Sequence, residues 1–465
     1  MKRFNFLVLL AAAVLTLSLC ACHIIPKNTP QKQPENIKQY SDMSDHSGEI
    51  GMHDDEDGYH IVNRVDFSYD TGYEAKRVDH SYNALDNDSQ REMYAQILEG
   101  VYCFSDNDGK FDGEYKLRPL LFSGENVSDK DVEAALTALL DDHPEIFWMS
   151  TDFESDYVSQ DTVGVTLNSY YTAERVVGMM RELDLALIKF FSDFDRGLSE
   201  YEREESVYRY IINNCTYDDD VESSDDYGDS HPSIYNLYGV MVDKKAVCEG
   251  YSRALDYLCS ELGTDTVCIC GTADTEDDED VDASSGLHMW NAVQLDNEWY
   301  WVDCTWDDWD EDEDLGDVYY YLNITDEILN ADHTVDKTYK ELTEDDYSEL
   351  ESYINNFVPS SCTATKYCYY LREGCVLNAP DAGQLGEGFA DAANKGRKSL
   401  LVVLDTDRYS PDTMVDALFD GDQPYYQAMD LANEKLSGVQ LDADADAVYY
   451  TDDVRKMLIF EIFYE

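Results

Sequence analysis

The sequence predicts an α+β protein, on three observations. Apolar residues recur at helical spacing in several stretches, short strand-like runs are broken by turn residues, and the aromatic content is too high for an unfolded chain. Thirty-six tyrosines among 465 residues carry most of that aromatic content. At roughly 100–200 residues per domain the length suggests two or three domains. Acidic residues number 99 against 33 basic ones, a formal charge of −66. Such a field repels nucleic acid, so no nucleic-acid partner is expected, and its ordinary use is a well-solvated surface.

The first element is an address. Lys2 and Arg3 precede an apolar stretch from Phe4 to Leu19, and Leu19-Cys20-Ala21-Cys22 closes it. This segment, residues 1–22, resembles a bacterial lipoprotein signal peptide. Cys22 suits lipidation better than Cys20, because the preceding Ala21 is small where Leu19 is not. The resemblance implies a lipid on Cys22 that holds the protein at the outer face of the cytoplasmic membrane, without a spanning helix. Residues 23–60, with Pro26, Pro30 and Pro34 among polar runs, show no apolar periodicity and read as a flexible tether.

Residues 61–197 read as an N-terminal α+β module. A helix is expected near 88–101, and Ser128-Asp129-Lys130-Asp131 forms a capping box ahead of Val132, Leu136, Leu139 and Leu140. Ile146-Phe147-Trp148 follows as buried aromatic and aliphatic bulk, then a strand near 162–171 and a long helix near 173–197. From 198 to 340 the sequence predicts helices at 202–214 and 248–262, the second ended by Gly263, and strands at 266–272, 287–295 and 299–306. Residues 341–465 read as a small C-terminal α/β module. Its helices are expected near 342–356, 388–395 and 411–418, and its strands near 366–371, 399–404 and 456–464.

Chemistry concentrates between 245 and 306. In Lys245-Ala246-Val247-Cys248-Glu249-Gly250-Tyr251-Ser252, a loop becomes a helix whose one face carries Tyr251, Leu255 and Leu258. Cys248 therefore stands at a helix N-terminus, where unpaired N–H groups and the helix dipole favour a thiolate. Gly250 is expected to keep the first turn open to a substrate carbonyl. His288 begins the run His288-Met289-Trp290-Asn291, and Asp303 lies in Trp299-Tyr300-Trp301-Val302-Asp303-Cys304-Thr305-Trp306. A two-residue turn at Asp296-Asn297 would pair Leu295 with Glu298 and bring His288 and Asp303 to one face as diagonal neighbours. That is the geometry a base and its orienting carboxylate need.

Cys-Glu-Gly-Tyr opening a helix, His-x-Trp-Asn on a strand and Trp-Tyr-x-Val-Asp-x-Thr-Trp on the next together resemble the transglutaminase-like superfamily, a branch of the papain-like cysteine enzymes. Cys215-Thr216-Tyr217-Asp218 and Tyr235-Asn236-Leu237-Tyr238-Gly239-Val240 are similar to bacterial members, and the likeness covers about 198–310. It implies a papain-like core, a Cys-bearing helix packed on an antiparallel sheet. It also implies Cys248 as nucleophile, His288 as general base and acid, Asp303 as the residue orienting His288, and acyl transfer through a thioester. Substrates would be protein or peptide amides, with cell-wall peptide the natural choice for an anchored protein, and the enzyme would act as protease, amidase or cross-linker. The alternative is a catalytically silent scaffold serving as a surface adhesin or wall-binding lipoprotein.

Family members often use an upstream tryptophan or glutamine as second oxyanion donor, and no tryptophan stands between Trp148 and Trp290 here. Tyr217 and Asn236 are the candidates in its place, and Trp290 and Tyr251 are expected to line the cleft. Cys215 and Cys259 read as packing. Cys268, Cys270, Cys304 and His288 offer donors that suit zinc, but Cys268 and Cys270 fall in an apolar strand pattern, so no metal is expected. No cofactor is expected either; the acidic runs 275–282 and 307–317 could bind calcium weakly, and neither fits an EF-hand loop.

Overall fold

Side-chain caps fix several helix starts in the computed structural model, which describes residues 3–4, 46, 48–105, 110–111, 114–124, 127–159, 161–223, 227–273, 286–308, 318–338, 354–443 and 445–465. The chain divides into two compact units, Met1–Asn291 with Val335–Val358, and Ala292–Thr334 with Pro359–Glu465. The expected leader, Cys22 and the expected helix near 342–356 lie largely or wholly outside the described residues. Among the described residues no helix is long and apolar enough to cross a membrane.

In the first unit a three-stranded sheet joins β1 (Met52–Asp54), β2 (His60–Val62) and, after helix α1 (Asp88–Gly100), β3 (Cys103–Phe104). The segment expected as tether up to residue 60 is therefore folded at its end. Ile50 is buried, and the ring of His46 meets the Asp184 carboxylate at 2.8 Å. Isolated hydrophobic residues such as Ile50 give no periodic signal, which hid this anchor from the sequence. The Ser128–Asp131 capping box starts α2 (Asp129–Asp142) as expected, and Ile146, Phe147 and Trp148 are buried. Strand β4 (Met149–Ser159), unforeseen because its outer half alternates weakly, pairs antiparallel with β5 (Thr162–Ser169).

Helices α3 (Ala173–Asp193) and α4 (Glu200–Asn214) lead to the segment of interest. The short strands β6 (Thr216–Tyr217) and β7 (Lys245–Ala246) pair in parallel and deliver the chain into α5 (Cys248–Glu261). Gly263 ends that helix at φ 84°, where a Cβ would meet the Glu74 carbonyl at 2.6 Å. Tyr251, Leu255 and Leu258 are fully buried, and α5 packs on β8 (Asp265–Ala273). Beside β8 runs β9 (Leu287–Leu295), whose residues through Asn291 belong to the first unit and the rest to the second.

In the second unit β9 turns into β10 (Glu298–Val302) through Asp296 (φ 52°) and Asn297 (φ 66°). Two consecutive left-handed residues make the tight two-residue hairpin expected from Asp-Asn. β10 stops at Val302 rather than at 306, because the Asp303 carboxylate captures the next N–H groups and bends the chain. It pairs antiparallel with β11 (Leu322–Ile324), and β12 (His333–Val335) begins at His333. The strand expected at 366–371 is instead a short helix, α6 (Tyr369–Glu373), in which Tyr369 and Tyr370 are buried; aromatic content had suggested a strand where packing chose a helix.

The C-terminal part is a four-stranded sheet in the order β13-β14-β16-β15. Its members are β13 (Cys375–Leu377), β14 (Ser399–Leu404), β15 (Tyr449–Asp452) and β16 (Met457–Glu461). Helices α7 (Ala382–Asn394), α8 (Pro411–Phe419) and α9 (Pro424–Lys435) share a core with it around Phe389, Met414, Tyr425 and Phe460.

Candidate active site

Cys248 is the first residue of α5. Its N-cap is Val247, extended at φ −105° and ψ −178°, with no side-chain oxygen to occupy the first-turn N–H groups. The Val247 N–H is tied to the Ile234 carbonyl at 3.0 Å, which fixes the approach of the chain. The sulfur end is enclosed: Cys248 is 5 % exposed and clusters with Cys268, Cys270 and Met289. Strands β8 and β9 are tied to the helix by polar bonds. Ser252 Oγ donates to the Met289 carbonyl at 2.9 Å, and Asn291 Nδ2 donates to the Ser252 carbonyl at 3.0 Å. These bonds position β9, on which His288 stands, against the first turns of α5. The His288 ring is buried and lies parallel to Trp290, centroids 5.9 Å apart at 25°.

Gly250 has a packing cause, not the open approach expected of it. A Cβ there would meet the Ile234 carbonyl oxygen at 2.5 Å and the Ala246 Cβ at 2.8 Å. The face of the helix at Gly250 is packed against residues 234 and 246. Trp290 and Tyr251, expected to line the cleft, are both wholly buried.

Of the two oxyanion candidates, Asn236 is withdrawn. Its amide nitrogen donates to the carbonyls of Phe147 (3.1 Å) and Pro232 (3.0 Å), and its oxygen accepts from the Tyr238 N–H (3.0 Å), so both amide hydrogens are spent on backbone. Tyr217 pairs in β6 with Ala246, two residues before Cys248, and its ring lies 6.4 Å from that of Tyr251. It remains the candidate. Cys215 and Cys259 are buried, as packing residues should be, and burial pushes the Cys259 thiol well above its ordinary range. Burial likewise raises Cys268 and Cys270, which keeps both as neutral thiols. The acidic run 275–282 and most of 307–317 lie outside the described residues.

Asp303, in the second unit, is almost fully buried. Its Oδ1 accepts from the N–H groups of Thr305 (2.9 Å) and Trp306 (3.1 Å), and its Oδ2 lies 3.1 Å from Nε2 of His333. His333 escaped the sequence reading because a lone histidine thirty positions downstream, outside any motif, carries no local signal.

A cysteine heading a helix that packs on a sheet is the arrangement of the papain-like cysteine enzymes, a class with mixed helices and antiparallel strands. Residues 192–304 match the model of the transglutaminase-like superfamily. That match makes this stretch, about a quarter of the chain, a transglutaminase-like domain. The Kyphoscoliosis peptidase of Mus musculus is 26% identical over 110 residues, which make up 23% of this chain and 16% of the relative. The chain therefore spans less than a fifth of that curated relative. Two solved structures are similar at lower identity. One is a TGase, 17% identical with a TM-score of 0.23, over 34% of this chain and 44% of that one. The other is a proposed cysteine protease from Cytophaga hutchinsonii, 11% identical with a TM-score of 0.19, over 43% of this chain and 70% of that one.

Proposed function

We propose that the protein is a surface-anchored cysteine acyl-transfer enzyme acting on protein or peptide amides, with Cys248 as nucleophile, His288 as base and acid, and Asp303 orienting His288. The observation that carries this reading is the position of Cys248, first in a helix whose N-cap offers no competing side chain. The positive end of a helix favours negative charge, and first-turn N–H groups can serve an oxyanion. The two-residue hairpin supports the expected register between the strand of His288 and the strand leading to Asp303. In the reaction, Sγ of Cys248 attacks the acyl carbon, and the C–N bond breaks as His288 protonates the leaving amine. Water or a second amine then attacks the thioester carbon, giving its proton to His288, and the C–S bond breaks to release Cys248. The hydroxyl of Tyr217 is the proposed second oxyanion donor. The leader ending at Cys22 supports attachment by lipid outside the cytoplasmic membrane, where cell-wall peptide is at hand.

Burial of Cys248 favours a second reading, a silent scaffold that only binds. Alkylation separates the two. The purified protein is treated with iodoacetamide near neutral pH and the modified cysteines are read by peptide mass spectrometry. Selective modification of Cys248 that His288→Ala slows by about tenfold or more supports the enzyme. Reactivity no greater than that of Cys103, or equal in the His288→Ala variant, rejects it.

A further inference from the structure

Both oxygens of the Asp303 carboxylate are engaged inside the second unit, and one partner is a side chain that no family likeness assigns. Oδ1 takes two backbone N–H groups, as described, while Oδ2 faces Nε2 of His333 at 3.1 Å. The other ring nitrogen of His333, Nδ1, lies 2.6 Å from Oδ1 of Asp332, and Oδ2 of Asp332 accepts the Tyr321 hydroxyl at 2.5 Å. The His333 side chain has no exposed surface. Its ring is walled by Trp306, 4.5 Å away, and Tyr321, 5.4 Å away.

An ionised carboxylate has only acceptors, so an imidazole with a carboxylate oxygen at each nitrogen must donate from both. With both carboxylates ionised, the bridge from Asp303 to Asp332 is one that only the doubly protonated ring can make. Two backbone N–H groups on Oδ1 already resist rotation of the carboxylate about the bond that bears it. A bond from His333 to Oδ2 adds a second, side-chain restraint on the same rotation. Each carboxylate oxygen has two acceptor directions, so the bond from His333 still leaves one on Oδ2 for another donor.

We infer that His333 is a positioning residue: held by Asp332, it locks the Asp303 carboxylate in one orientation and so sets the direction from which His288 is held. The inference rests on the proposed role of Asp303 as the orienter of His288. Trp306 and Tyr321 keep water from the pair, and Tyr321 keeps Asp332 in place.

The test follows the rate of Cys248 alkylation by iodoacetamide in the full-length protein from about pH 5 to about pH 9, with a thermal melt of each variant. The variants are Asp303→Asn, His333→Phe, His333→Gln and Asp332→Asn. His333→Phe removes the donor to Oδ2 and is expected to slow alkylation near neutral pH by about tenfold or more, shifting the pH profile in the same direction as Asp303→Asn. His333→Gln returns one N–H to Asp303 and is expected to recover most of the rate. Asp332→Asn keeps the shape of the site and is expected to shift the profile by a smaller amount in the same direction; it decides the matter should His333→Phe fail to fold. Wild-type profiles in folded His333→Phe and Asp332→Asn, beside a shifted Asp303→Asn, overturn the role of His333 alone. A wild-type profile in Asp303→Asn overturns the role of Asp303 and this inference with it.

Discussion

Two glycines show how much a single methyl group weighs here. At Gly250 a Cβ would sit 2.5 Å from a carbonyl oxygen, while at Gly178, inside α3, it would meet nothing within 4 Å. Replacing glycine by alanine within a helix gains about 0.5–1 kcal/mol when space allows. Overpacking costs about 1–3 kcal/mol, so the outcomes differ in sign. Urea denaturation should find Gly178→Ala more stable than wild type and Gly250→Ala less stable; a stabilised Gly250→Ala would show that the Ile234 loop yields. Sequence alone made Gly250 conspicuous but could not say why, because the atoms that crowd it come from residues 234 and 246. Asn236 teaches the same lesson. Its residue type suits an oxyanion donor, and only the carbonyls of Phe147 and Pro232 reveal that its hydrogens are taken.

Among the elements, α2 ends against its own electrostatics. Asp141 and Asp142 lie in the last turn, which has no basic residue of its own; Arg253, from α5, donates to the Leu140 carbonyl there at 2.6 Å. Burial pushes Asp142 up to about 7, although the N–H groups of Tyr82 and Ser81 pull the other way, and burial pushes Asp141 up to about 6 against the pull of Arg253. Their folded values stand above the unfolded one. The stability they contribute is therefore complete below the ordinary carboxylate range, and it is lost as pH rises through about 6 for Asp141 and about 7 for Asp142. Asp142→Asn cannot ionise and keeps an acceptor for one of the two N–H groups, which bond different oxygens of Asp142. Its unfolding free energy should fall less between about pH 5 and about pH 8 than that of wild type, measured by urea titration at each pH. Parallel slopes would mean that Asp142 ionises freely in the folded state. The start of this helix was legible because Ser128 and Asp131 bond each other across three residues. The acidity of its end was not, since the raised pKa values come from burial by distant segments.

For the whole molecule the dominant quantity is a formal charge of −66. Like charges that folding brings closer repel, and salt shortens the range of that repulsion from about 30 Å at 0.01 M to about 3 Å at 1 M. Raising sodium chloride across that span should raise the melting temperature, with sodium sulfate avoided because it acts also on apolar burial. A melting temperature that falls would place net stabilisation in surface ion pairs instead. The division into two units shows another property of the whole. It runs through β9, a continuous strand whose residues on either side of Asn291 and Ala292 are claimed by different units. A linear reading draws boundaries at loops and has no means to draw one inside a strand.

By itself the sequence determined what depends on neighbours in the chain: the capping box at Ser128, the two-residue turn at Asp296 and Asn297, the helix that begins at Cys248 and the glycine that ends it. These are set by bonds and dihedral angles spanning a few residues, so their signals are local and survive in one dimension. Tertiary structure alone decided which polar groups are already spent, where β10 stops, and that a histidine far downstream of Asp303 grips its second oxygen. Hydrogen-bond satisfaction and burial are settled by groups that meet only after the chain has folded, and their sequence separation leaves no pattern to read.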